Sequence, residues 1–449
     1  MVSQNTIKMK KITFLSLLSC LFLVTSLFAQ TTYYVKLGGN NSGGLSVENA
    51  FTTVNNAVQA ASDGDTINIV GPINQTGQVA VGKSISFVGQ SDATITGASA
   101  RMYVVNAANK TISFTGITFQ DANSSNPGAV ITITQSSDLT LTNCILKNNV
   151  SADKGGAILA SGTGILTITN SLFDGNSANK GGAIAITSDG RQLIITGSTF
   201  VNNSVSNSGG ALYLGGANAN SSITSTTIFN NTVNFTGLNQ STGGGIRIEG
   251  ARPFTISNSL IYGNFVSDGN ETASSDIGGP TTVEMTLNHS ITKNIEPSLI
   301  AVADGGNDVF STSKTDANLT SSNLTFNSTT GKVEYVAVNF TEDSPIDFGS
   351  DGNDVGAWNS GLALSLNKQD VLAANLLVFH NKSSNSIEIS HTISSPLSVE
   401  LYSILGTKLL GLENVAQRQS IQASSFASGL YILKGASSGR SFSKKFIIN

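Results

Sequence analysis

The stretch GGAILASGTGILTITNSLFDGN, residues 155–176, is one turn of a repeat. Its Phe173 belongs to a row of apolar residues, Phe119, Leu146, Phe173, Phe200, Ile228 and Ile261, spaced by 27, 27, 27, 28 and 33 residues. A period of that length marks one supersecondary unit, and such units stack into a solenoid. Five residues before each member stands a second apolar row: Phe114, Leu141, Ile168, Ile195, Ile223 and Ile256. Three residues after each come Ala122 and then Asn149, Asn176, Asn203, Asn231 and Asn264.

Between these rows lies a Gly-Gly marker, at Gly155–Ile158, Gly181–Ile184, Gly209–Leu212 and Gly243–Ile246. Each repeat reads as glycine corner, short strand, Ser/Thr/Gly turn, second strand and Asn turn. The intervals between turns are too short for helices, and alternation such as Leu166-Thr167-Ile168-Thr169 has period two. About 27 residues at about 3.3 Å each suffice for three short strands and their corners. The fold class predicted is all-β: a right-handed parallel β-helix, coils stacked at about 4.8 Å, with a short capping helix before it and a small antiparallel β-sandwich after it. In such a stack the Asn column is structural, each amide donating to one coil and accepting from the other.

The pairing of Gly181-Gly182-Ala183-Ile184 with Phe200-Val201-Asn202-Asn203 resembles the repeat of the chlamydial polymorphic outer-membrane proteins over roughly residues 115–265. That resemblance implies a β-helical surface adhesin. The C-terminus departs from the family, showing no autotransporter barrel.

Upstream, Lys8, Lys10 and Lys11, the apolar run Ile12–Leu27 and the exit at Ala29-Gln30 predict a secretory signal peptide over residues 1–29. Cleavage there leaves Cys144 as the one cysteine, aligned with Ser171, Ser198, Thr226 and Ser259, so stability comes from stacking rather than disulfides. Residues 30–83 read as a cap. Phe51–Ala61 has helical apolar spacing and covers the open end of the first coil, and Tyr33-Tyr34-Val35 through Gly64-Asp65-Thr66-Ile67 resembles the N-terminal cap of pectate-lyase-like β-helix proteins. Repeats fill 84–285 and irregular closing coils 286–361, where Ser344–Gly349 with Asp354–Trp358 resembles the closing segment of anchored surface β-helices. Residues 31–361 hold 13 Lys and Arg against 24 Asp and Glu, a formal charge of −11. A domain this acidic is a poor partner for nucleic acid or an anionic membrane surface, and no further transmembrane run follows the signal.

From about residue 362 the Gly-Gly pairs stop and basic residues outnumber acidic ones. Val399–Lys408, Ala427–Leu433 and Lys444–Ile448, in that order, resemble the C-terminal sorting domain of the Bacteroidetes type IX secretion system, although Phe379-His380-Asn381 replaces the usual Pro-Asn-Pro. The resemblance implies export across the outer membrane by the type IX machinery, removal of the tail over 362–449, and a cell-surface or extracellular location.

No catalytic constellation stands out. Hydrolysis needs paired carboxyls, yet neither adjacent aspartates nor the polygalacturonase Asn-Thr-Asp and Gly-His-Gly signatures occur. A lyase needs a base and a cation or arginine to neutralise the uronate, and the candidates do not cluster in sequence. His289 is a lone surface histidine once the tail is removed. Strand alternation turns Leu159, Ala185, Tyr213 and Arg247 outward as one column, with Glu249 beside it. Tyr213 and Arg247 on neighbouring coils offer either a platform for a sugar or carboxylated glycan, or an exposed cation–π pair that covers the sheet. The Asp-Gly-Asn turns at 304–308 and 351–354 offer oxygen ligands for Ca²⁺ but lack the twelve-residue loop pattern, and otherwise no cofactor is expected. The expectation is a non-enzymatic adhesin or glycan-binding protein of the surface, partnered by the secretion machinery and by a glycan or a host or substrate surface. The alternatives are an extracellular polysaccharide lyase or glycoside hydrolase of the pectate-lyase-like class, and a plain spacer.

Overall fold

The computed structural model of the chain describes residues 30–304, 309–310, 324–327, 332–335 and 376–448, apart from residues 91, 217–219, 236–241, 250–253, 271, 281–282, 289, 293–294, 296–299, 383, 392–395, 404–406 and 438–439. The expected signal peptide, His289 and the turns 305–308 and 351–354 lie outside the described residues.

The chain winds into a parallel β-solenoid. In one coil, Asp138–Thr142 lies in sheet 1, Ile145–Lys147 in sheet 2, Val150–Ser151 in sheet 3 and Ile158–Ala160 in sheet 4. The three-strand expectation fits only the first coils. Sheet 3 begins at Asn123–Ser124, and from there each coil through Phe265–Ser267 has a fourth, short side. Its first strands are two residues long and the register shifts between Ser177–Lys180 and Ser204–Ser208, so this side leaves no regular periodicity to read.

The hydrophobic rows are vertical neighbours. Phe119, Leu146, Phe173, Phe200, Ile228 and Ile261 are register partners in sheet 2, coil on coil. Their second row, Phe114 to Ile256, does the same in sheet 1. Phe173 and Phe200 stack with centroids 4.6 Å apart and planes 9° from parallel. All these side chains are buried, each contributing roughly 1.5–3 kcal/mol of apolar burial.

Corners are specified locally. Between sheets 1 and 2, Asn143, Asn170 and Asn258 take positive φ, which asparagine tolerates. The next residue is the small column, where Ser171 Oγ donates to Thr169 O at 2.9 Å and accepts from Cys144 N at 3.1 Å. Cys144 is buried in that column as a packing residue, and desolvation pushes its thiol up to about 11. At the Gly-Gly corner the two glycines do different work: Gly181 supplies φ of 63°, while Gly182 lets one coil approach the next. A Cβ on Gly182 would stand 2.2 Å from Gly210 O and 2.9 Å from Ser204 N. The backbone itself is the obstacle, so Gly182→Ala is expected to cost about 3 kcal/mol in chemical denaturation.

The cap is a single described helix, α1 (Val54–Ala60). Thr53 accepts from Asn56 N at 3.2 Å at its start, and Lys83 Nζ donates to Val58 O and Gln59 O at 3.1 Å and to Ala61 O at its end. A cation there satisfies orphan carbonyls and complements the helix dipole. Buried Val54, Ala57 and Val58 face the first coil. At the other end, sheets 1 and 2 continue to Ile300–Asp304 and Val309–Phe310.

The tail forms two antiparallel sheets. One holds Leu376–Asn381, Ser386–His391 and Arg418–Gln422; the other holds Lys408–Leu412, Leu397–Ser403, Gly429–Ser437 and Arg440–Ile448. Ile387, Ile389, Leu397, Val399, Leu401 and Leu433 fill the core between them.

Candidate functional site

The outward column of sheet 4 runs Thr132, Leu159, Ala185, Tyr213, Arg247 and Gly278 by register. Inward-pointing Ile158, Ile184, Leu212 and Ile246 alternate with it and are buried. Tyr213 and Arg247 are therefore neighbours on successive coils, and Glu249 stands two residues further along the Arg247 strand, Ile246–Ile248, just past its end.

These three side chains bond to each other. Tyr213 Oη donates to Glu249 Oε2 at 2.5 Å, and Arg247 Nε donates to Glu249 Oε1 at 3.3 Å. Each carboxylate oxygen thus holds a donor. Burial first, and then the bond to Glu249, push the Tyr213 hydroxyl far up, so it remains a proton donor at any ordinary pH.

Lys180 Nζ stands over the Tyr213 ring, 4.8 Å from the centroid, and Arg247 Nε pairs with Glu249. Lys180 arrives from sheet 3, the side missing from the sequence pattern. Tyr213 is also covered, with only 7% of its surface exposed, whereas Arg247 and Glu249 side chains are 17% and 36% exposed. The exposed part of this group is therefore the ionic pair rather than an open ring face.

The asparagines form one continuous ladder. Nδ2 of Asn149, Asn176, Asn203 and Asn231 each donates at 2.9 Å to Oδ1 of the asparagine in the next coil. Each also donates to a carbonyl of the preceding coil, as Asn203 does to Phe173 O at 3.0 Å. Asn264 hands the ladder to Asp276, whose Oδ1 accepts both Asn264 Nδ2 at 2.9 Å and Asn264 N at 3.0 Å. Asp276 was hidden from the spacing because Phe265–Ser267 folds back antiparallel on Thr272–Ser274, returning the chain to the column after 12 residues.

A second unpredicted residue is Arg191, fully buried at the corner between sheets 4 and 1. Its guanidinium donates to Ser137 O at 3.0 Å, to Gln135 O at 2.8 Å and twice to Ser161 O. The alternation Arg191, Leu193, Ile195 was the available signal that it points inward. Among the described residues no three His, Cys, Asp or Glu side chains group as metal ligands.

The repeat geometry and the tail sheets have counterparts in known families. Residues 143–161, 170–187 and 197–215 match the Chlamydia polymorphic membrane protein repeat, each match running from the positive-φ corner through the Asn ladder and Gly-Gly corner into sheet 4. Residues 378–449 match the secretion-system C-terminal sorting domain, which covers the two antiparallel sheets. The chain is a type IX-secreted surface β-helix. No curated protein matches this surface β-helix significantly. Its sorting domain directs it through type IX secretion to the cell surface, and among the described residues no helix is long and apolar enough to cross a membrane.

Proposed function

We propose that this surface β-helix is an adhesin that binds a glycan through the outward face of sheet 4, with Tyr213, Arg247 and Glu249 at the contact. The observation that carries this reading is the triad itself: a phenol, a guanidinium and a carboxylate from neighbouring coils bonded into one partly exposed group. A planar guanidinium beside a carboxylate offers donors and acceptors together, the pairing that sugar hydroxyls and uronate groups use. An adhesive role suits a carboxylate whose two oxygens already hold donors, since a general base needs an oxygen aimed at the substrate proton.

The test is a glycan array and pull-down against host and algal polysaccharides with the full secreted chain. Retention is expected, and Arg247→Ala and Glu249→Gln should each abolish it without altering the circular dichroism spectrum. Silence across the panel, or retention indifferent to both substitutions, removes the glycan assignment. Incubation with pectate, alginate and chondroitin completes it: unsaturated product lost in Arg247→Ala would favour a lyase instead.

A further inference from the structure

The outward face of sheet 1 differs from the other three sides. One column runs Thr140, Thr167, Ile194, Ser222 and Thr255, and the parallel column two residues along runs Thr142, Thr169, Thr196, Thr224 and Ser257. Ser113 and Thr115 extend it upstream, Thr286 and Asn288 downstream, and the register holds without a shift at every junction. Neither column carries a charge. Elsewhere the outward positions are mixed: Lys147 and Asp174 on sheet 2, Lys180 on sheet 3, Tyr213 and Arg247 on sheet 4. Preference of strands for β-branched residues would act on all sides equally. It does not explain why two adjacent, nearly unbroken hydroxyl columns fall on sheet 1, whereas sheets 2 and 3 carry hydroxyls only in shorter, interrupted runs.

The hydroxyls are also left available. Thr224 Oγ1 lies 3.1 Å from Ser257 Oγ, whereas those of Thr140, Thr142, Thr167 and Thr169 bond no protein group and face solvent. Beneath them Leu141, Ile168 and Ile195 are fully buried, so the backbone that presents them is fixed by the core. The result is a neutral rectangular grid, repeating at about 4.8 Å along the solenoid and about 6.6 Å along each strand. Each threonine node pairs a hydroxyl, able to donate and accept, with a methyl group that water can only surround, while Ile194 lacks the hydroxyl and Ser222 and Ser257 lack the methyl.

We propose that this face adsorbs to ice. The coil repeat lies close to the shorter repeat of water oxygens on a prism face of an ice crystal and the strand repeat falls somewhat short of the longer one, so water ordered between the threonine rows bridges the face to the lattice. An uncharged partner matches the two uncharged columns, with Asp138 the flanking charge on one strand, and their unbonded hydroxyls take their partners from the crystal. This assignment is independent of the sheet 4 triad.

The full secreted chain is to be frozen slowly onto a cold probe, its fraction in the ice measured, and ice recrystallisation scored in parallel. Enrichment in ice over a bystander protein and arrested crystal growth are expected. Thr142→Lys combined with Thr169→Lys should reduce both to the bystander level with an unchanged melting curve, and Ile145→Lys, on exposed sheet 2, should leave both intact. Should the double variant unfold, Thr169→Tyr alone replaces it and should also abolish adsorption. Exclusion of the native chain from ice, or equal enrichment of the threonine variants, overturns the proposal. Retention on insoluble cellulose or chitin without enrichment in ice overturns it too, while leaving the adhesive reading standing.

Discussion

Arg191→Leu is expected to destabilise the coils on either side of it by about 3 kcal/mol, because Ser137 O and Ser161 O lose the guanidinium donors and Gln135 O keeps only the Ser137 N–H. The guanidinium spans Gln135 and Ser137 of one corner and Ser161 of the next, tying the two turns together. Burial lowers its pKa to about 10, with Asp138 pulling the other way, so it is charged at neutral pH. Its stabilising role therefore rests on those charge-assisted bonds rather than on a contacting counter-ion. Lysine is no substitute: a single ammonium cannot span the fork of positions, and Arg191→Lys should recover only part of the loss. Because a solenoid opens coil by coil, native-state hydrogen exchange is the measurement to make. Amides of Leu139–Thr142, Leu166–Thr169 and Leu193–Thr196 should exchange faster while the tail sheets stay unchanged. Unchanged protection in these three strands would show the staple to be dispensable.

What was legible in the sequence is what recurs once per coil. Phe173 and Phe200 are 27 residues apart because one circuit of backbone separates them, and the spacing gave coil length and register together. The sorting tail was legible for a different reason, its three segments keeping their order without any period. Features that occur once were not legible in this way. Arg191 sits in the turn sequence Ser188-Asp189-Gly190-Arg191, which reads as an exposed loop unless alternation from Ile195 is carried back two steps. Asp276 falls off the period because a hairpin intervenes. At the candidate site, alternation placed Tyr213 outward and beside Arg247, but it says nothing of what lies over an outward ring. Lys180 and Glu249 reach it through side-chain conformations, and these covered the phenol.

The Asn ladder gives the second large effect, and its direction sets the sign. Every mid-ladder amide donates one N–H to the asparagine of the C-terminal coil and the other back to a carbonyl of the preceding coil, while its Oδ1 accepts from that preceding coil. Asn203→Ala strands Asn176 N and one of the two N–H groups of Asn176 Nδ2, which now bond Asn203 Oδ1 at 2.9 Å, and takes a donor from Phe173 O, for an expected loss of about 4 kcal/mol. Alanine is accepted at 122 because that position ends the ladder: Ala122 N donates to Asn149 Oδ1 at 3.1 Å, and the coil before it offers only Gly97, with no amide to strand. Asp276→Asn keeps an acceptor for Asn264 and should cost much less than Asp276→Ala. Asn203→Asp is the sharper test. An ionised carboxylate would still accept from Asn176, yet it would face Asn231 Oδ1 and Phe173 O with no proton to give, at a buried position that disfavours charge. The introduced group's folded pKa then lies above its unfolded value of about 3.9. Protonation restores one donor, so this variant should approach the native chain in stability below that pH and fall away as pH rises through the folded pKa. A denaturation series across pH reads this directly: Asn203→Ala should show a constant deficit relative to the native chain, and Asn203→Asp one that grows with pH. Parallel curves for the two variants would mean that column 203 does not depend on the direction of its hydrogen bonds.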